Sequence, residues 1–111
     1  MESDEIVCEH VSRQARYELV ELLLGKLGSA TAVAALAGVT EMAVRKWLIG
    51  TTHPSNVTLR KLLGRAFELD VKQTSEILER DLEEFSQSLR ANLHQKLQGP
   101  ADQTAVLELK V

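Results

Sequence analysis

The 111-residue sequence predicts an all-α fold: a compact bundle of four to five helices, ending in one long helix and a short strand-like tail. Three observations predict it. Apolar residues recur at steps of three and four through most of the chain, the spacing that gathers them on one face of a helix. The sequence is 44% hydrophobic but only 4% aromatic, so its core must be mostly leucine, alanine and valine, a mixture that favours helices over strands. Residues 71–98 contain neither glycine nor proline, which leaves room for one long uninterrupted helix.

Residues 1–5 are acidic and outside the pattern. From Ile6 to Leu27 the apolar positions Ile6, Val7, Val11, Ala15, Leu19, Leu22, Leu23 and Leu27 mostly keep helical spacing. They form one long helix, or two pieces divided at Ser12, which can cap a helix starting at Arg13. Ile6, Val7 and Cys8 fit a short strand as the alternative. Gly25 and Gly28 bracket the end of this helix. Ser29 then caps a helix over 30–37, and Gly38 follows where a left-handed backbone costs glycine little. Val39 fills the gap between two helices. Thr40 caps a second helix over 41–49, which Gly50 ends, and Pro54 forbids early resumption.

Ser55 or Asn56 caps the next helix, over 57–69. Its buried stripe is Leu59, Leu62, Leu63, Ala66 and Phe67. Gly64 lies inside it at a cost of about 1 kcal/mol relative to alanine, which points to close approach of a neighbouring helix. In the long helix Val71, Ser75, Leu78, Leu82, Phe85, Leu89, Asn92 and Lys96 alternate in steps of four and three, a partial coiled-coil seam. Gly99 and Pro100 stop it. Residues 104–111 alternate in strand fashion, and a lone strand needs an edge to pair with: its own copy, the segment near Ile6, or a protein partner.

The middle of the chain carries the functional signal. Val33, Leu36 and Ala37 give one buried face, and Val44, Trp47 and Leu48 give the facing one, with Ala34 small enough for a close crossing. Glu41, Met42, Ala43, Arg45 and Lys46 point away from that core. A short helix that buries one face and offers polar tips on the other suits reading of a DNA major groove. Residues 29–69 resemble the helix-turn-helix domain of the phage-repressor/Cro family. The residues that carry the likeness are Ala34, the Gly38-Val39-Thr40 turn, Val44, Trp47, Gly50 and Pro54-Ser55, with Leu63 to Leu69 as the fourth helix. Ala30 departs from the pattern, since the family often has a phosphate-touching glutamine there.

The resemblance implies double-stranded DNA as partner and contact through Thr40, Glu41, Met42, Ala43, Arg45 and Lys46, with Glu41, Met42 and Lys46 nearest the base edges. Thr51, Thr52 and His53 lie on the exit loop, and Arg60 and Lys61 on the following helix, as candidate phosphate contacts. The organisation that follows is a DNA-binding domain over residues 1–70, a long helix over 71–98 and a tail over 99–111. Leu78, Leu82, Phe85 and Leu89 are the expected dimerisation seam. The alternative is that this stripe packs on its own domain.

The formal net charge of −3 is unevenly placed. Residues 29–72 carry three acids (Glu41, Glu68, Asp70) and six bases (Arg45, Lys46, Arg60, Lys61, Arg65, Lys72), while the segments on either side are acidic. Local positive charge is what phosphate contact needs, and acidic flanks weaken non-specific binding. Cys8, the single cysteine, excludes an intramolecular disulfide and reads as a small hydrophobe. No apolar run approaches a membrane span and the acidic start is not a secretory signal, so a cytoplasmic protein without a membrane partner is expected. His10, His53 and His94 lack metal-ligand spacing. No phosphate-binding glycine loop or nucleophile elbow occurs, so no catalytic residue, metal or cofactor is expected. The leading expectation is a dimeric, sequence-specific transcriptional regulator. The alternatives are a protein–protein adaptor, or the DNA-binding subunit of recombination, partition or defence machinery.

Overall fold

The structure, a computed structural model, describes residues 8–98, with side chains through residue 96. The fold is all-α, and all regular structure among the described residues is helical. Residues 8–10 form a helical turn, so Cys8 is not in a strand. Ser12 has extended backbone (φ −68°, ψ 165°), and its hydroxyl accepts from the Ala15 N–H at 3.1 Å, opening α1, Arg13–Leu27. Ile6, Val7 and the strand-like segment 104–111 lie outside the described residues.

Helix α1 buries Ala15, Leu19, Val20 and Leu23. Gly25 lies within it, and Gly28 (φ 92°) closes it by donating to the Leu24 carbonyl at 2.8 Å. The chain then bends by 115° into α2, Ala30–Ala37. Ser29 caps α2 through the Ala32 N–H, and Gly38 (φ 71°) closes it. Thr40 caps α3, Glu41–Leu48, with Ile49 as its last half-helical residue. Helix α4 is Asn56–Leu69, capped by Ser55. Asp70 separates it from α5, Val71–Gln98, and accepts the Gln73 N–H at 2.9 Å.

The core joins these elements. It contains Ala15, Leu19, Val20 and Leu23 of α1, Val33, Ala34 and Ala37 of α2, Val44 and Trp47 of α3, Leu59, Leu62, Leu63 and Ala66 of α4, and Ile77 of α5. Leu19, Leu23, Leu59 and Leu62 are fully buried, and each such leucine contributes about 1.5–3 kcal/mol relative to exposure.

Two expectations for α4 need correction. Phe67 was expected in the buried stripe but is 37% exposed, because the stripe is complete at Leu63 and Ala66. Gly64 was expected beneath a neighbouring helix, yet it is exposed and a Cβ built there meets nothing within 4 Å.

The chain divides into two compact units, one reaching to Asp81 and one starting at Leu82. In the first, α5 buries Thr74 and Ile77 and half-buries Leu78. Val71, expected on the seam, is exposed. The inward edge of α5 is thus turned by one position from the expected one. Polar contacts fasten this part of α5 to α1: Ser12 donates from its N–H (3.0 Å) and its hydroxyl to the Asp81 carboxylate, and Arg80 pairs with Glu18 at 2.7 Å. The Thr74 hydroxyl is buried and has no hydrogen-bond partner among the described residues. In the second unit Leu82, Phe85, Leu89 and Leu93 are all exposed.

Candidate nucleic-acid interface

Helices α2 and α3 and the three-residue turn between them place the expected contact residues. Gly38 gives the turn its left-handed step, and Val39 N–H donates to the Ala34 carbonyl at 3.1 Å. A Cβ at Gly38 would lie 3.3 Å from Lys61 Nζ, so the Lys61 ammonium sits against the turn. The Thr40 hydroxyl accepts from the Ala43 N–H at 3.1 Å, which fixes where α3 begins. Val44 and Trp47 then point into the core.

At about 100° per residue, Arg45, Met42 and Lys46 fall on the opposite side and Glu41 on its flank. All four are exposed, Met42 to 60%. Ala43 was expected with them but is half-buried and packs against the core, because it lies on the boundary between the two faces.

Glu41 and Arg45 are joined. Arg45 donates from Nη2 (2.5 Å) and Nε (3.2 Å) to Glu41 Oε1, and the Thr31 hydroxyl donates to Oε2 at 3.1 Å. The bonds from Arg45, and then that from Thr31, hold the Glu41 carboxyl below its ordinary range. Arg45 is thereby tethered while its side chain stays 63% exposed. No ion pair engages Lys46 among the described residues, and it borders the same face.

The exit loop is more ordered than its composition suggests. The amides of Thr51 (3.0 Å) and Thr52 (3.4 Å) both donate to the Lys46 carbonyl at the end of α3. Those N–H groups are therefore committed, and Thr51 and Thr52 can offer an anion their hydroxyls. His53 is exposed, with Nδ1 3.3 Å from the Pro54 carbonyl oxygen. Arg60 is half-buried with its Nε enclosed, while Lys61 is exposed.

Three residues join the region that were not singled out from sequence. Ile49 is 77% exposed and continues the outward face of α3, four residues after Arg45 and seven after Met42. That spacing was the available signal. Arg13 lines a cleft of about 420 Å³ with Tyr17, Thr51, Thr52 and His53. It lies 38 or more residues from the loop it faces, so no local pattern connects them.

The third is Arg16, which is buried. It donates to the carbonyls of Val11 (3.0 Å), Pro54 (2.7 Å) and Cys8 (2.6 Å) and to Asn56 Oδ1 (2.8 Å). Burial pulls its pKa down, with Cys8 and Asp81 opposing the shift. Four oxygen acceptors make the buried guanidinium tolerable and tie the exit loop to the start of the chain.

Among the described residues no three His, Cys, Asp or Glu side chains gather as a metal site, and no single helix is long and apolar enough to cross a membrane. Comparison of the chain with protein-family models, curated proteins and solved structures finds no significant match.

Proposed function

We propose that residues 29–69 are a helix-turn-helix domain of the phage-repressor/Cro type, and that the protein binds double-stranded DNA sequence-specifically as a dimeric transcriptional regulator. The observation that carries this is the division of α3. Val44 and Trp47 anchor it in the core, while Met42, Arg45, Lys46 and Ile49 stand exposed on its far side. A rigidly anchored short helix with basic and apolar tips suits a major groove, where arginine and lysine read guanine and an apolar group meets the thymine methyl. The excess of bases in residues 29–72 supports the same reading.

Dimerisation is the second half of the proposal. One short helix reads few base pairs and discriminates poorly among genomic sites, whereas two joined modules make the second contact nearly intramolecular. Leu78 packs against the core, so the proposed seam is Leu82, Phe85, Leu89 and Leu93.

The test is selection of bound sequences from random double-stranded DNA, followed by titration with salt. Enrichment of a two-fold symmetric sequence, bound more weakly as salt rises, is the expected result. No enrichment with salt-independent behaviour would discard the reading in favour of a protein–protein adaptor.

A further inference from the structure

The exposed stripe of α5 has a direction built into it. Placed at about 100° per residue, Leu82, Phe85, Leu89 and Leu93 fall within about 80° of one another, a continuous apolar face. They are 66%, 58%, 47% and 47% exposed. Glu83 and Arg90 line one margin of this face and Asn92 the other, and Lys96 follows on the line of the stripe itself, just beyond Leu93. The acids of this stretch, Glu83 and Glu84, lie in its first turn, and its bases Arg90 and Lys96 lie in its second half. Among the described residues neither Glu83 nor Arg90 makes an ion pair. Glu83 accepts only from Gln87, at 3.1 Å.

We infer that this face is covered by the same face of a second copy running antiparallel, with the two-fold axis passing between Gln87 and Ser88. The inference rests on the dimer proposed above and adds its orientation. The register follows from the stripe itself, since antiparallel pairing about that point sets Leu82 opposite Leu93 and brings Phe85 and Leu89 together at the centre. The charges agree with it. In an antiparallel pair each margin meets its own copy, so Glu83 lies about 3 Å along the axis from Arg90 of the second copy, on the same side. In a parallel pair opposite margins meet at equal height, which leaves Glu83 and Arg90 about 10 Å apart along the axis. Opposite charge at the rim of a helix pair sets its orientation, while the apolar face supplies the attraction.

Distances between spin labels in the full-length protein test this. Cys8 is the only cysteine and is buried, so Cys8→Ala provides the background. Ser88 and Gln95 are both exposed and seven residues apart, and hence on the same side of the helix. Labels at Ser88→Cys and at Gln95→Cys, in separate proteins, report the separation from the second copy.

The antiparallel pair predicts a short distance at residue 88 and one longer by an axial offset of about 22 Å at residue 95. Equal distances at both positions mean a parallel pair and overturn the orientation while leaving dimerisation intact. A wild-type chain that sediments as a monomer at high micromolar concentration overturns the second copy as occupant, whether the stripe then meets its own domain or another protein. DNA binding is measured separately and survives either result.

A charge exchange gives a second readout should labelling disturb the helix. Glu83→Arg should raise the dimer dissociation constant several-fold, and adding Arg90→Glu should restore it. No change with the single variant overturns the proposed contact.

Discussion

Replacing Trp47 with alanine separates the two faces of α3. Trp47 is 6% exposed and lies in the same core as Val33, Ala37 and Leu59. A buried aromatic side chain removes about 150–250 Å² from water. At about 25 cal/mol per Å² that corresponds to roughly 4–6 kcal/mol, less the part alanine still buries. Truncations of this kind typically cost about 3–5 kcal/mol once partial collapse of the cavity is allowed for. A domain this small has a total stability of about 5–15 kcal/mol, so the variant should keep only part of it. Each kcal/mol lowers the melting temperature by roughly 4–8 °C in a domain of 60–100 residues, so a fall of well over 10 °C is expected. Thermal unfolding followed by circular dichroism at 222 nm, with urea titration alongside, measures it. A variant that melts with the parent and loses only DNA affinity would refute the core assignment and make Trp47 a contact residue.

On the outward face the outcome should reverse: Arg45→Ala and Lys46→Ala should melt within about 0.5 kcal/mol of the parent and lose about 1–3 kcal/mol of specific DNA affinity, read by fluorescence anisotropy against the selected site. Unchanged affinity in both folded variants would reject α3 as the recognition helix. Gly64→Ala should stabilise the protein by about 1 kcal/mol, since the added methyl meets no neighbour, and urea midpoints would show it; destabilisation would mean that α4 is covered there. The Asp70 carboxyl is held below its ordinary range, first by the Gln73 N–H and then by Lys26 at 3.1 Å. Its stabilising contribution is full above the unfolded value of about 3.9 and is lost as pH falls through the lower folded value. Melting temperatures of the parent and Asp70→Asn should therefore differ most near neutral pH and converge in acid, whereas a constant gap would show that the carboxylate charge is not the cause.

Much of the fold was legible because its boundaries are local chemistry. Ser12, Ser29, Thr40 and Ser55 each cap through a hydroxyl to an N–H three residues on, a signal contained within four residues of sequence. Gly28, Gly38 and Gly50 all have positive φ, as their positions after helices imply. What was not legible depends on distant neighbours. Ile77 and Leu78 are adjacent and both apolar, so periodicity could not decide which edge of α5 faces the core. Ile77 took the buried position and Leu78 the half-buried one. Phe67 and Ala43 stand at the limits of their stripes, where one neighbouring side chain decides burial. Arg16 was not singled out because three of its four acceptors are backbone carbonyls, which no sequence pattern marks.

The pinned exit loop bears on the thermodynamics of association. Thr51 and Thr52 hang from the Lys46 carbonyl at one end, and Arg16 grips Pro54 and Asn56 at the other. The conformational entropy of those residues is lost when the chain folds, before any partner is bound. Loops that order only on contact lose that entropy during binding and contribute to a large negative heat-capacity change. Here calorimetry at several temperatures should find a heat capacity of association that buried contact area alone accounts for, and Arg16→Met should make it more negative by returning the loop's ordering to the binding step. If the protein binds DNA as proposed, the preset loop is a ruler, holding its hydroxyls at a fixed height relative to α3 so that the two meet one duplex together.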